Sequence, residues 1–194
     1  MPLDTITSIE TRYSCRAFSD KMPSDEDLGR IARAAVTAPS GMNRQLWRVV
    51  VVKDKALISD LEAEGMKYLA ALPDQTIYNR IMSRGGRLYY NAPCMIVIPF
   101  AKADIVKAEL VGTEYVDYGI VTDHIALAAT SLGLNSLIFG FASTSFLGER
   151  GAEFKERLRF PAGFEIGLAV LLGYARSPGG KPHTPDFDKI IWIE

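Results

Sequence analysis

Ala38-Pro39-Ser40-Gly41-Met42-Asn43-Arg44-Gln45-Leu46-Trp47-Arg48-Val49-Val50-Val51-Val52 is the stretch on which the reading of this chain turns. A loop of small and amide-bearing residues runs into an aromatic and then into four valines. Four consecutive β-branched residues predict a strand buried on both faces, with its backbone fixed by a sheet. The loop is then held at a sheet end. It presents the Ser40 and Asn43 side chains and backbone N–H groups that no local partner needs. That composition suits a polar, planar ligand, and other candidate groups are judged by whether they can meet it there.

Towards the N-terminus, Thr7-Ser8-Ile9-Glu10 has the spacing of a capping box and predicts a short helix starting near Asp4 or Thr7. It leads into Arg12-Tyr13-Ser14-Cys15-Arg16-Ala17-Phe18. Two arginines four apart share a face in a helix, and in an extended turn they converge on one anion, with Ser14 adding a hydroxyl. By themselves these residues favour a solvated basic turn, since exposed arginine is the default. Ser24 followed by Asp25, Glu26 and Asp27 marks a second helix start, serine at the cap and acids complementing the dipole. Leu28, Ile31, Ala35 and Val36 keep helical spacing up to Pro39.

Beyond the valines, 56–72 reads as a helix with Leu57, Leu61, Met66 and Leu69 inward. The segment 73–91 is the least regular part, with Arg80, Arg84, Gly85, Gly86, Arg87, Tyr89 and Tyr90. It is a flap over a site or a loop without a role. A second strand is expected at 94–100, with Pro99 marking its end. The longest helix is expected at 113–132, its apolar residues including Val116, Ile120, Ile125, Ala128, Ala129 and Leu132. Its alanine-rich composition predicts packing on most sides, so Asp123 and His124 need partners, the histidine through a hydrogen bond rather than a metal. Gly133 suits the residue just past a helix end. A third strand, 136–141, reaches Gly140, where a backbone can approach a ligand closely. A short helix at 149–158 and a fourth strand at 164–174 follow. Prolines and glycines exclude regular structure at 177–185, yet Ile190-Ile191-Trp192-Ile193 needs burial, for which a subunit interface is one place. Strands interleaved with helices give an α/β or α+β layered domain.

The chain's 194 residues fit one domain, 1–194, and a net charge of −1 argues against a general nucleic-acid surface. Cys15 and Cys94 lie far apart with no C-x-x-C, which speaks against a disulfide framework or a zinc site. The opening Met-Pro-Leu-Asp-Thr lacks the regions of a signal peptide, and the apolar stretch 119–141 is broken by Asp123, His124 and Gly133. No membrane association and a cytoplasmic location are expected. No G-x-S-x-G, H-E-x-x-H, P-loop or G-x-G-x-x-G occurs, and with two histidines a histidine-rich metal site is excluded. No catalytic side chain or metal ligand is nominated. What recurs is anion-binding and amide chemistry: Arg12, Ser14 and Arg16; Ser40 and Asn43; Gly140; Lys181 with His183. Such a set suits a phosphorylated organic cofactor that brings its own reactivity.

These pieces resemble the nitroreductase-like family of FMN-dependent NAD(P)H oxidoreductases. Arg12 to Phe18 is similar to the family's R-x-S-x-[RK]-x-[FY] opening, and Ala38 to Trp47 to its A-P-S-x-x-N-x-Q-P-W loop. Asp117-Tyr118-Gly119, through Leu127-Ala128-Ala129 to Leu132-Gly133-Leu134, resembles its long central helix. Lys181 and His183 sit where it carries late basic residues. The resemblance covers nearly the whole chain, and it overturns the solvated reading of Arg12 and Arg16.

It implies an α+β fold, a sheet of four to five strands flanked by helices, and a homodimer with FMN at the interface. Arg12, Tyr13, Ser14 and Arg16 would come from one subunit and Pro39, Ser40, Gly41 and Asn43 from the other. Arg12, Lys181 and His183 would hold the phosphate, each charge-assisted bond worth roughly 1.5–3 kcal/mol. Arg16 would lie near the flavin N1/O2 edge, and a backbone N–H near Phe139-Gly140 would face N5. The tail, about 177–194, would pack on the partner. Four positions depart from the pattern: Leu46 replaces a proline, Tyr13 a basic residue, Asn135 a glycine, and His183 an arginine, which makes phosphate binding pH-sensitive. The implied reaction moves hydride from NADH or NADPH through flavin to a small-molecule acceptor such as a nitroaromatic or quinone, in ping-pong order. The alternatives are a specialised flavin enzyme (a dehalogenase or dehydrogenase) acting on one metabolite, or a non-catalytic dimer that binds flavin or does without it.

Overall fold

Cys94–Ala101 and Phe164–Gly173 pair antiparallel and form the spine of the protein, whose computed structural model describes residues 2–101 and 113–193. In chain order the elements are α1 (Thr5–Thr11), α2 (Asp25–Val36), β1 (Val50–Val52), α3 (Lys55–Ala71), α4 (Thr76–Met82), β2 (Cys94–Ala101), α5 (Thr113–Ser131), β3 (Asn135–Phe139), α6 (Thr144–Leu147), α7 (Gly151–Arg157) and β4 (Phe164–Gly173). The sheet order is β1-β2-β4-β3, with every pairing antiparallel. This is the expected α+β architecture, with four strands.

Side chains alternate across a strand, so each central strand feeds two cores. Met95, Val97, Ala169 and Leu171 face one side, where they meet Leu57, Leu61 and Leu69 of α3 and Phe154 of α7. Cys94, Ile96, Ile98, Val170 and Leu172 face the other, against Leu28 and Ile31 of α2 and Val121, Ile125 and Ala129 of α5. Helices therefore cover both faces, and burial of each large aliphatic side chain contributes about 1.5–3 kcal/mol.

The strand buried on both faces exists, but it is β2 and not the valine run. Val50–Val52 forms a three-residue edge strand, and Val51 is 37% exposed. Pro99 does not end β2; the pairing shifts register between Ile98 and Pro99, so the proline sits in a bulge where its missing N–H costs no ladder bond. Asp4, not Thr7, caps α1, because its carboxylate accepts the Thr7 N–H at 3.0 Å one turn earlier. Ser24 caps α2 as expected, accepting from the Asp27 N–H at 3.1 Å. Along α5, Val116 is 62% exposed and Asp123 is exposed, so neither is packed, whereas His124 Nδ1 lies 3.1 Å from the Ala34 carbonyl oxygen. Gly133 has φ +76° and closes α5.

The segment 73–91 is more ordered than its composition suggests. Asp74 accepts the Thr76 N–H at 2.8 Å and starts α4. Gly85 and Gly86, with φ +95° and +68°, end it by donating to Met82 and Ile81 carbonyls. The turn beyond is pinned by buried Glu62 of α3, which accepts the Tyr89 N–H at 2.9 Å and pairs with Arg87 at 2.8 Å.

Candidate functional site

Residues 12–18 are extended, not helical. Cys15 and Phe18 are buried anchors that tie the segment to the sheet. The Cys15 N–H donates to the Ser136 carbonyl at 3.0 Å, making a parallel bridge between Ser14 and Ser136 at the β3 edge. Phe18 bridges Ala175, and the Arg176 N–H donates to Ala17 at 2.9 Å. Just before these anchors Arg12, Tyr13 and Ser14 are half-buried, and between them Arg16 is exposed. Burial raises the Tyr13 phenol, which stays a protonated donor. Burial also raises both thiols, Cys94 to about 12, so neither cysteine supplies a thiolate near neutral pH.

Arg16 meets Phe139 and Gly140 in one cavity of about 190 Å³. Two of the expected groups are thereby brought together. Gly140 opens a short turn after β3, and a Cβ there would meet only Leu168 at 3.8 Å. Leu137, Phe141 and Tyr90 give the cavity apolar and aromatic walls. Its remaining wall is one face of α4 and the turn after it: Ile77, Arg80, Ile81 and Arg84. That face was missed in the sequence although its signal is present, since positions 77, 80, 81 and 84 follow the i, i+3, i+4, i+7 pattern of a helix stripe.

The tail begins beside the same edge. Gly180 rests on the Tyr13 ring so closely that a Cβ would lie 2.0 Å from its Cε2 atom. Lys181 therefore leaves directly from the Arg12–Tyr13 corner, whereas His183 is exposed two residues on. Beyond them Ile191, Trp192 and Ile193 are 81%, 83% and 90% exposed.

The loop at 39–46 lies elsewhere. It leads into β1 and bridges the far end of β2 through Trp47 and Phe100. β1 and β3 are the opposite edges of the sheet, about 14 Å apart at three strand spacings. The structure does not bring Ser40, Gly41 or Asn43 into the Arg16 cavity. Nor is the loop chemically idle, as its composition suggested. Ser40 Oγ accepts the Gln45 N–H at 3.0 Å, Asn43 Oδ1 accepts from Gln45 Nε2 at 2.7 Å, and the Gly41 N–H donates to Asp117 Oδ1 at 3.0 Å. What remains is donor capacity: the Ser40 hydroxyl hydrogen and the Asn43 amide NH₂. Met42, Asn43 and Gln45 all have positive φ (54°, 55° and 49°), a cost of about 1 kcal/mol or more each. Pro39 is exposed at the start of this turn.

Chemically, the Arg16 cavity is cationic, aromatic-walled and open along a backbone turn, which fits a planar ring with an electron-rich edge. Among the described residues, no group of three or more His, Cys, Asp and Glu side chains could hold a metal ion. No helix among them is long and apolar enough to cross a membrane.

Comparison with known proteins agrees with this geometry. A crystal structure of a nitroreductase with bound FMN from Desulfitobacterium hafniense DCB-2 is 52% identical, covers 100% of both chains and superposes with a TM-score of 0.90. An Archaeoglobus fulgidus protein with the provisional name NADH dehydrogenase/NAD(P)H nitroreductase is 30% identical over 174 residues, 89% of this chain and 86% of its own. The NADPH-flavin oxidoreductase of Vibrio harveyi is 25% identical over 185 residues, 94% of this chain and 70% of its own. The family model described as the nitroreductase family matches residues 9–174, and the chain belongs to that family.

Proposed function

We propose that this protein is an FMN-dependent oxidoreductase that takes reducing equivalents from NADH or NADPH and passes them to an electrophilic small molecule, working as a homodimer in the cytoplasm. One observation carries the reading: Arg16, Phe139 and Gly140 meet in a single cavity at the β3 edge, while the donors of Ser40 and Asn43 stand at the opposite edge. A cavity of about 190 Å³ falls below the roughly 300–1,000 Å³ of common ligand sites. One chain thus encloses part of a flavin site, and a second copy brings its Pro39–Asn43 loop to complete it. The relatives with FMN in their crystals or flavin in their names support the cofactor.

Bound FMN supplies hydride-accepting and hydride-donating chemistry that no side chain here possesses. The chain's residues bind and tune. Arg12 and Lys181 fix the phosphate, with His183 as a third, pH-sensitive contact and Tyr13 as a neutral donor beside them. Arg16 places a permanent cation at the ring edge, which favours the electron-rich form of the cofactor without any proton transfer. The amide of the Phe139–Gly140 turn offers a hydrogen bond to the reactive side of the ring. Ser40 and Asn43, with Gly41 held by Asp117, offer further donors from the partner. With FMN held by these residues, the nicotinamide donor and the nitroaromatic or quinone acceptor would use the same open cavity in turn, and ping-pong kinetics would follow.

The deciding experiment is a visible spectrum of the purified protein, with the released flavin identified, followed by anaerobic titration with NADH and NADPH. A yellow protein that releases FMN and is bleached by either nucleotide is expected. Protein that stays colourless after incubation with FMN would overturn the proposal.

A further inference from the structure

We infer that the cavity selects an electron acceptor bearing an anionic substituent (a carboxylate, sulfonate or phosphonate on a planar ring), read by Arg80 and Arg84. The inference rests on the flavin reading above and names the substrate class of the same site.

Four arginines and no acidic residue line the cavity. Two of the four have other work. Arg87 is committed to Glu62 at 2.8 Å, and Arg16 serves the cofactor edge. Arg80 and Arg84 remain. Among the described residues neither has a carboxylate within the 4.0 Å that defines an ion pair. Two like charges this close in sequence repel, and Arg80 on α4 and Arg84 in the turn after it line one hollow that holds no acidic side chain among the described residues. Both side chains are exposed and reachable from solvent, and both also line the cavity. These two share one stripe with Ile77 and Ile81, against an aromatic wall of Tyr90, Phe139 and Phe141. Such a surface has an apolar body for a ring and a cationic rim for one charged group. α4 brings Arg80 and the turn after it brings Arg84 to the same cavity, where two guanidinium groups can converge on one anion. The anion itself is a handle and takes no part in the chemistry. For a quinone sulfonate, NAD(P)H and one proton give the hydroquinone sulfonate and NAD(P)⁺.

The test uses holoprotein and the double variant Arg80→Gln/Arg84→Gln. Benzoate and its neutral analogue benzamide are titrated calorimetrically into both proteins, and naphthoquinone sulfonate is compared with menadione as acceptor. The wild type is expected to bind benzoate at least about tenfold tighter than benzamide. In the variant that preference disappears, and the KM for the sulfonate rises about tenfold or more while menadione turnover changes less than about twofold. Arg80→Lys/Arg84→Lys restores most of the preference, which a merely structural wall would not do. Equal losses for charged and neutral ligands would overturn the inference, as would loss of bound flavin in the variant. Slowed reduction by NADPH with reduction by NADH unchanged would also overturn it, because the anion read would then be the donor's phosphate. A wild type that is reduced by NAD(P)H yet ignores ligand charge refutes this inference alone. A wild type that binds no FMN refutes the function beneath it.

Discussion

The two edges of the sheet are finished to different degrees. At the β3 edge one chain assembles a walled cavity from residues far apart in sequence: Arg16, Phe139 and Gly140, with the Tyr13 ring covered by Gly180 close by. At the β1 edge the 39–46 loop is held by its own hydrogen bonds and one to Asp117, takes three left-handed backbone positions, and keeps the Ser40 hydroxyl and Asn43 amide as donors. One edge encloses space, and the other carries the spare donors of Ser40 and Asn43. The difference is what the proposed dimer would join: an enclosing edge of one copy and a donor-bearing edge of another.

The largest effect expected from breaking that contrast is at the tail. Ile190, Ile191, Trp192 and Ile193 are 56%, 81%, 83% and 90% exposed, and burial of each is worth about 1.5–3 kcal/mol. Deleting residues 190–194 should raise the dimer dissociation constant at least about a thousandfold in sedimentation velocity, with FMN affinity falling alongside. A deletion that leaves a flavin-loaded monomer would mean the β3 edge is sufficient alone. A middle-sized effect is expected from Gly180→Val, whose side chain collides with the Tyr13 ring and pushes Lys181 away. FMN should bind about tenfold more weakly by fluorescence quenching while the thermal midpoint of the flavin-free protein falls only slightly, since Tyr13 is the one core-packed residue the exposed Gly180 touches. The smallest concerns the β1 edge. Met42→Gly should stabilise by about 0.5–1 kcal/mol in urea titration, because glycine accepts φ +54° freely and the lost side chain is 80% exposed. A loss of stability there would show that the loop holds no strain.

The helix boundaries and strand positions were largely legible, because capping residues and periodicity are local. Ser24, Gly133 and the amphipathic spacing of Leu28, Ile31 and Ala35 all report on neighbours a few residues away. The misreadings arise where burial depends on distant elements. Four valines announce a wish to be buried, but strand order decides whether they sit centrally, and β2 took that place. Of the two helix starts left open by the sequence, Asp4 and Thr7, the structure takes Asp4, whose carboxylate accepts the Thr7 N–H. Within the candidate site, Arg16 with Phe139 and Gly140 followed from the family resemblance. The arginine face of α4 did not, because a seven-residue helix between Pro73 and Gly85 offers barely two turns of pattern.

The wall that carries Arg80 and Arg84 is moored at both of its ends. Gln75 reaches back to the Ala70 carbonyl at 3.2 Å, and Glu62 grips Arg87 and the Tyr89 amide. Neither mooring uses the four residues that look into the hollow. Ile77 and Ile81 also pack on the core, so Arg80 and Arg84, both exposed, are the two that can change with the frame left in place. If the proposed reading of this wall holds, codon changes at 80 and 84 would shift the choice of oxidant while the Arg16–Gly140 side of the cavity stays as it is.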